Sequence, residues 1–534
     1  MVSADTGAKY VLAVDLGTSG PKVGLVTTDG EILGHEFEPT ALLLLPGGGA
    51  EQDPDDWWRA ICQAARRLLS RHPIPVENIV AVNCMAQWGG TIAVGRDGRH
   101  LMNAIIWLDA RGAPYAQRLV GGLVTISGYE PLKLAQWIRI VGLAPARSGK
   151  DPAGHILFIR HERPEVYHET YKFLEPLDYL NLRLTGCFSA SYDSIGTYFA
   201  TDNRKVAHIR YHESLLRMLD LPRDKLPDLL PTASVLGQIT PVAAAELGLS
   251  ERTQVVTGTP DLHSAAIGSG AVRDYEPHLY LGTSAWVLCH VPFKKTDPLH
   301  AIGTLPAGIP GRYLAGGVQE TGGACLTFLR DKLLYVDDEL ATAAPAEKTY
   351  TVLDRVAGHA QAGSGGVIFT PWLYGERTPV DDSTVRGGFH NLSLTTERSH
   401  LVRAVFEGVA LNTRWGFQYV ERFMNRRLDG INAVGGGARS AVWCQIIADV
   451  FDRTVRQVQE PQLCNVRGAA LQAAAALGYV PFNDIGARVP IAATYRPDPA
   501  VRRLYDELFR EFVNLYRQNR GIYARLNRVS GRRP

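Results

Sequence analysis

The tetrapeptide Leu-Gly-Thr-Ser occurs twice, at Leu16–Ser19 and Leu281–Ser284, about 265 residues apart. Each copy sits between apolar runs, in "KYVLAVDLGTSGPKVGLVTTDGEILGHEFEP" and in "HLYLGTSAWVLCHV". A strand, a small-residue turn and a second strand are predicted at both places. In the first, the strands cover Tyr10–Val14 and Val23–Thr27, with the turn at Gly17–Gly20; a D-G turn at Asp29–Gly30 then leads to a third strand. A four-residue match alone carries little weight, but in matched strand–turn–strand settings it predicts two related domains. With 534 residues the chain is also too long for a single core. The boundary is placed in "PTASVLGQITPVAAAELGLSERTQVVTGTP", giving an N-terminal domain over 1–256 and a C-terminal domain over 257–534.

"DPDDWWRAICQAARRLLS" reads as a helix with Asp53 as N-cap and Pro54 in the first turn. A last helix is predicted from about Pro499 to Arg525. Its Leu504, Leu508, Phe512 and Tyr516 form an apolar stripe that packs on either domain or on a second subunit, so a homodimer stays open. Lys plus Arg is 56 and Asp plus Glu is 54, a net charge of +2 that offers no general attraction to nucleic acid or to an anionic membrane. The seven cysteines include no C-x-x-C pair, which argues against a disulfide framework and a structural zinc site. "MVSADTGAKY" lacks the features of a signal peptide, and "ALLLLP" is too short to span a bilayer. The expectation is a cytoplasmic protein.

Gly-Thr-Ser turns between strands present backbone N–H groups and hydroxyls that suit phosphate oxygens, although an ordinary tight hairpin has the same sequence. Two such turns, one per domain, make a pair of jaws for a polyphosphate. Asp15 directly precedes the first, where a carboxylate could hold Mg²⁺ through water. "AVGGGARSAVWCQIIADVF" places Gly435, Gly436 and Gly437 between a strand and a helix, open to a flat ring or phosphate, without Rossmann spacing. "GLAPARSGKD" is not a P-loop: six residues separate its glycines, and Asp151 follows Lys150. "NCMAQWGGT" offers the Gln87 amide and the Trp88 face to a sugar, though a buried Trp in a strand-end turn fits equally well. Asp109 and Arg111 read as a structural ion pair, and "PWLYGERTPVDD", with Glu376 and Arg377, as a rigid loop. Asp261, in "TGTPDLHSAAIG", fits a helix N-cap and a catalytic base alike.

In this order the pieces resemble the FGGY carbohydrate kinases, and most of all their xylulokinase branch. The resemblance rests on "VDLGTSGPKV", "AEQDPDDWWRA", "MAQWGG", "WLDAR", "LDYLNLRLTG", "PDLHSAAIGSGAV", "LGTSA", "PWLYGERTP", "RAVFEGVA" and "VGGGARS", and runs from about Tyr10 to Leu477. It implies an α/β fold of two RNase H-like domains, as in actin, Hsp70 and sugar kinases, around a central cleft. It also implies transfer of the γ-phosphoryl group of ATP, with Mg²⁺, to a hydroxyl of a small sugar or polyol. By resemblance Asp261 is the general base and Asp15 the Mg²⁺ partner. Gly17, Thr18, Ser19, Gly282, Thr283 and Ser284 would hold phosphate, and Gly323, Gly435, Gly436, Gly437 and Ser440 would border the nucleotide. Gln87, Trp88, Gly89, Asp261 and His263 would face the acceptor.

Three positions depart from the xylulokinase pattern. Gly89 stands where Q-M-H-G has its His, Leu262 follows Asp261 where the pattern has Asn, and His155 in "AGHILF" replaces a Lys. About ten extra residues fall within "VGGLVTISGYEPLKLAQWIRIV". His263 and Trp88 are the candidates for replacement contacts. The expected acceptor is a ketopentose such as D-xylulose, with another ketose, a pentitol or a tetritol as alternatives. From a different class, a catalytically weak sugar sensor on the same fold is the competing reading. Intact Asp15, Thr18, Asp261, Thr283 and the glycine run argue against it.

Overall fold

The computed structural model of the chain describes residues 7–336 and 348–527. Its two largest sheets share one topology. In the first, Tyr10–Gly17, Gly20–Thr27 and Ile32–Phe37 form an antiparallel meander. On the other side of Tyr10–Gly17 come Ile79–Ala86 and Gln254–Pro260, both parallel to it, and Val235–Gln238 closes the edge antiparallel. In the second, Pro277–Leu281, Ala285–Val291 and Tyr313–Gln319 form the meander. Ile431–Val434 and Val455–Val458 follow in parallel, and Ile491–Tyr495 closes the edge antiparallel. Two further strands, Thr296–Asp297 and Ile302–Pro306, extend the far side. The repeated tetrapeptide therefore marks the same hairpin in two RNase H-like domains. The central strands are covered on both faces, which is why "YVLAV" is continuously apolar instead of alternating.

The helix Pro54–Arg71 connects the first meander to Ile79–Ala86 and begins as expected, with the Asp53 carboxylate accepting from the Asp55 amide at 2.9 Å. Trp57, Ile61, Ala64 and Leu68, at helical spacing, are buried against the sheet. The expected division after residue 256 falls inside the strand Gln254–Pro260, which pairs with Ile79–Ala86 in the first sheet. In that stretch the edge strand Val235–Gln238 and the helix Pro241–Leu247 return the chain to that sheet.

The strands Gln254–Pro260 and Val455–Val458 occupy equivalent places, and each leads to a helix, Asp261–Gly268 and Cys464–Ala476. These two helices pack on each other at one glycine apiece. A Cβ on Gly268 would lie 1.7 Å from the Cys464 carbonyl oxygen, and one on Gly468 2.0 Å from that of Ser264. The second helix also lies on the first sheet, where Val466, Ala469, Ala470 and Ala473 join Val11, Ala13, Ala81, Met85 and Val256 in one buried cluster. Small side chains at this joint let the two halves approach backbone to backbone.

The last helix is Arg502–Asn527, preceded by a 3-10 turn at Pro499–Val501. Phe512 and Tyr516 are buried as expected, against Trp372 and Trp415 of the second domain. Leu504 and Leu508 are only half-buried, and Tyr505, Phe509 and Val513 take the inner positions. All seven cysteines are free thiols. Among the described residues no helix is long and apolar enough to cross a membrane.

Candidate functional site

The C-terminal ends of the central strands of both sheets carry the residues singled out in the sequence. Asp15 lies near the end of Tyr10–Gly17, in register opposite Lys22 on the neighbouring strand. The Lys22 ammonium sits 3.5 Å from Asp15 Oδ2, while Oδ1 accepts no hydrogen bond among the described residues. Burial raises the Asp15 carboxyl above its ordinary range, and Lys22 opposes that rise.

Asp261 is not the helix N-cap; Pro260 occupies that position, and Asp261 is the first helical residue. Its Oδ1 accepts from the Leu262 amide at 2.8 Å, a bond within the helix's own first turn. Burial pushes its carboxyl up to about 7, the Leu262 amide pulls it down, and the charge on Asp15 raises it further.

Beside it stands an aromatic wall. The Trp88 indole N–H donates to the Ser194 carbonyl at 2.8 Å, and its ring meets the edge of His263 with centroids 5.1 Å apart. His263, two residues beyond Asp261, is 1% exposed and held by burial at a pKa of about 3, so it is neutral. The Pro306 carbonyl lies 3.0 Å from Nε2, which assigns the proton there and leaves Nδ1 as an unpartnered acceptor. Gly89 has φ +84°. A Cβ would find room there, 3.7 Å from that of Trp107, but the backbone conformation disfavours any side chain. That gives a local reason for glycine where the xylulokinase pattern has His.

Gln87 is buried, and both ends of its amide carry a hydrogen bond. Its Oε1 accepts from the Thr18 hydroxyl at 3.0 Å, and its Nε2 donates to Gln52 Oε1 at 2.7 Å. The Thr18 oxygen also accepts from the Trp107 indole N–H at 3.0 Å. Thr18 and Gln87, expected on different ligands, thus belong to one network. His155 is fully buried between the Thr91 hydroxyl and the Asp109 carbonyl, at 3.2 and 3.4 Å. Burial lowers it to about 4, so the residue that replaces a Lys is a neutral packing group. Arg111 pairs with Asp109 and Glu51, as a structural ion pair should.

On the second domain, the Gly282–Thr283–Ser284 turn is held by three successive amides. Gly322 N donates to Thr283 O at 2.8 Å, Gly323 N to Gly282 O at 2.7 Å, and Ala324 N to Thr283 O at 3.1 Å. The Thr283 and Ser284 hydroxyls make no hydrogen bond among the described residues, and Ser19 is exposed on the first-domain turn beside Gly17. Gly435, at φ +89°, packs on the same strand, since a Cβ there would lie 2.7 Å from the Leu281 carbonyl oxygen. Gly436 faces open space, while Gly437 packs on Trp443. Ser440 caps the helix Ala441–Phe451, its hydroxyl oxygen accepting from the Trp443 amide at 2.9 Å. In the "GERTP" loop Glu376 is buried and accepts from Asn412 and from the amides of Glu320 and Arg377. Burial pushes that carboxyl up to about 7.

Lys22, Trp107, Glu175, Asp178 and Asp193 carry no local signal of a site role in the sequence. Lys22 reaches the site through the hairpin register; the others join it only through the fold.

The model of the FGGY family of carbohydrate kinases, N-terminal domain, matches residues 10–268, past Asp261, and that of the C-terminal domain matches residues 279–477. The chain is 27% identical to a xylulose kinase of Bacillus subtilis over 521 residues, covering 97% of this chain and 99% of that one. It is also 27% identical to a gluconokinase of the same organism over 524 residues, 97% of each chain. A crystal structure of gluconate kinase from Lactobacillus acidophilus superposes with a TM-score of 0.84 at 24% identity, over 97% of this chain and 100% of that one. With the family's two domains matched in order and a whole-length likeness to its kinases, the chain belongs to the FGGY family of carbohydrate kinases and is an ATP-dependent phosphotransferase.

Proposed function

We propose that this kinase transfers the γ-phosphoryl group of Mg·ATP to a hydroxyl of a small neutral sugar or polyol, a ketopentose such as D-xylulose first among the candidates. The observation that carries this reading is Asp261: a carboxyl at about 7, on the helix that also holds His263 against Trp88. A general base works best when its pKa lies near the operating pH. As the acceptor oxygen bonds to phosphorus and the bond to ADP breaks, Asp261 takes the hydroxyl proton. Positioning and charge stabilisation do the remaining work.

The free Oδ1 of Asp15 suits Mg²⁺, a hard cation that takes few protein ligands and keeps several waters. When bound, the ion would offset the negative charge of the phosphates. Lys22 keeps Asp15 from repelling the phosphates outright. The two Gly-Thr-Ser turns approach the phosphates, with Ser19, Thr283 and Ser284 offering hydroxyls and Gly17 and Gly282 offering backbone. Gly323 and Gly435–Gly437 border the nucleotide. Thr18, tied to Gln87 and Trp107, orients the first turn, and Ser440 supports the glycine run as a helix cap. Trp88 covers the carbon face of the acceptor, beside the glycine backbone at Gly89, with the buried His263 ring packed edge-on against it.

A neutral acceptor is preferred because Asp15 and Asp261 already crowd negative charge at the reaction centre. Equal identity to a xylulose kinase and a gluconokinase does not choose between them. ADP release with Mg·ATP should be measured against ketopentoses, pentitols, tetritols and gluconate. Turnover on a neutral acceptor supports the reading; turnover on gluconate alone overturns the acceptor class. Nucleotide binding without turnover on any acceptor favours a sugar sensor.

A further inference from the structure

Behind the Trp88–Gly90 turn lie three carboxyl side chains, Glu175, Asp178 and Asp193, each at most 1% exposed. None is within salt-bridge distance of a basic side chain among the described residues. Hydroxyls and backbone amides satisfy them instead. Glu175 Oε2 accepts from the Gly89 and Gly90 amides at 3.1 and 3.0 Å, and its Oε1 accepts from the Thr197 hydroxyl. Asp178 accepts from the Ser194 hydroxyl at 2.9 Å, and the Ser194 carbonyl receives the Trp88 indole N–H. Asp193 accepts from the Thr232 hydroxyl at 2.8 Å and from the Thr259 hydroxyl at 2.5 Å. Thr259 is two residues before Asp261, in the strand that delivers it.

One short segment therefore touches both parts of the site. The 3-10 turn Ser194–Tyr198 supports the Trp88 ring, since a Cβ on Gly196 would lie 3.1 Å from Trp88 Cζ2. Through Thr197 it also holds the acid that fixes Gly89 and Gly90. Through adjacent Asp193 it grips the strand ending at Asp261. Buried acids without cations are expensive, and apolar residues would fill the same space at lower cost. A packing role alone does not explain three of them.

We propose that Glu175 and Asp193 are positioning residues for phosphotransfer: Glu175 holds the Trp88–Gly90 turn, Asp193 holds the strand that presents Asp261, and the segment between them sets acceptor wall and base relative to each other. This rests on the reading above for Trp88 and Asp261. Glycine has the widest conformational freedom, so two successive glycines keep a single shape only when their amides are held. Glu175→Gln keeps an oxygen for both amides and offers Thr197 an N–H in exchange, whereas Glu175→Ala loses all three bonds.

The experiment uses the full-length chain and two readouts: hydrogen exchange at the Gly89 and Gly90 amides, and steady-state kinetics with Mg·ATP and the best acceptor. Glu175→Ala should speed exchange at both glycines by about tenfold or more and raise the acceptor KM by about tenfold, leaving the ATP KM unchanged. Glu175→Gln should stay close to wild type in both. Thr259→Val, which removes the hydroxyl from Asp193 at constant shape, should lower kcat with little effect on either KM. Should Glu175→Ala fail to fold, Thr197→Val takes its place with the same direction expected. Unchanged exchange in the Ala or Thr197 variant, a parallel rise of both KM values, or Gln as impaired as Ala would overturn the proposal. If the wild type phosphorylates no acceptor, the functional reading fails, while the exchange readout still decides whether Glu175 holds the turn.

Discussion

Asp261→Asn should stabilise the protein while abolishing its activity, and the stabilisation should depend on pH. The folded carboxyl keeps its proton up to about 7, whereas an ordinary Asp releases it near 3.8. Between those values the unfolded state binds fewer protons, so the wild type loses stability as pH rises. The difference from 3.8 to about 7, at 1.36 kcal/mol per pH unit, sets a ceiling of about 4 kcal/mol. Below about pH 4 both states are protonated and the cost vanishes; above about pH 7 it is constant. Asn does not titrate, and its oxygen still accepts from the Leu262 amide. Thermal melting of both proteins from about pH 4.5 to 8 reads the effect directly. The Tm advantage of the Asn variant should grow with pH and level off above neutrality. An advantage that is constant across the range, or a less stable variant at pH 8, would refute the placement of an unneutralised carboxyl at this site.

Gly468→Ala would force a Cβ to within 2.0 Å of the Ser264 carbonyl oxygen, so the helices at the domain joint must part. A loss of about 1–3 kcal/mol is expected in denaturant unfolding. His263→Phe keeps a ring against Trp88 but strands the Pro306 carbonyl. The acceptor KM should rise, and because wild-type His263 stays neutral with its pKa near 3, no His263 titration should appear in the pH profile between 5 and 9. Chelation of divalent cations should stop ADP release and added Mg²⁺ restore it. Asp15→Asn should raise the Mg²⁺ concentration needed for half-maximal rate.

Local grammar made much of the architecture legible. The two Leu-Gly-Thr-Ser hairpins and the Asp53 cap each depend on neighbours within a few residues, and the structure forms both. The domain boundary was misplaced because Pro and Gly turns look alike whether they end a domain or bracket an edge strand; only the pairing of Gln254–Pro260 with Ile79–Ala86 distinguishes them. The stripe on the last helix drifted because residues spaced by four advance about 40° around a 3.6-residue turn. Leu504 and Leu508 thus rotate off the face that Phe512 and Tyr516 share with Tyr505 and Phe509. An amide beside Trp suits a sugar chemically, but the bonds of Gln87 to Thr18 and Gln52 come from residues 69 and 35 positions away and have no local signature. Glu175, Asp178 and Asp193 had no local signature at all. Their meaning lies in hydrogen bonds to residues up to 86 positions away.

The most direct test is to follow sugar phosphate by ³¹P NMR, with Mg·ATP and the best neutral acceptor, for wild type and Asp261→Asn side by side. The wild type should form sugar phosphate and ADP in equal amounts. The Asn variant should bind ATP with unchanged affinity yet form product at least about 100-fold more slowly, the scale of a lost general base. Product formation by the variant within a few-fold of wild type would contradict the assignment of Asp261 as the base.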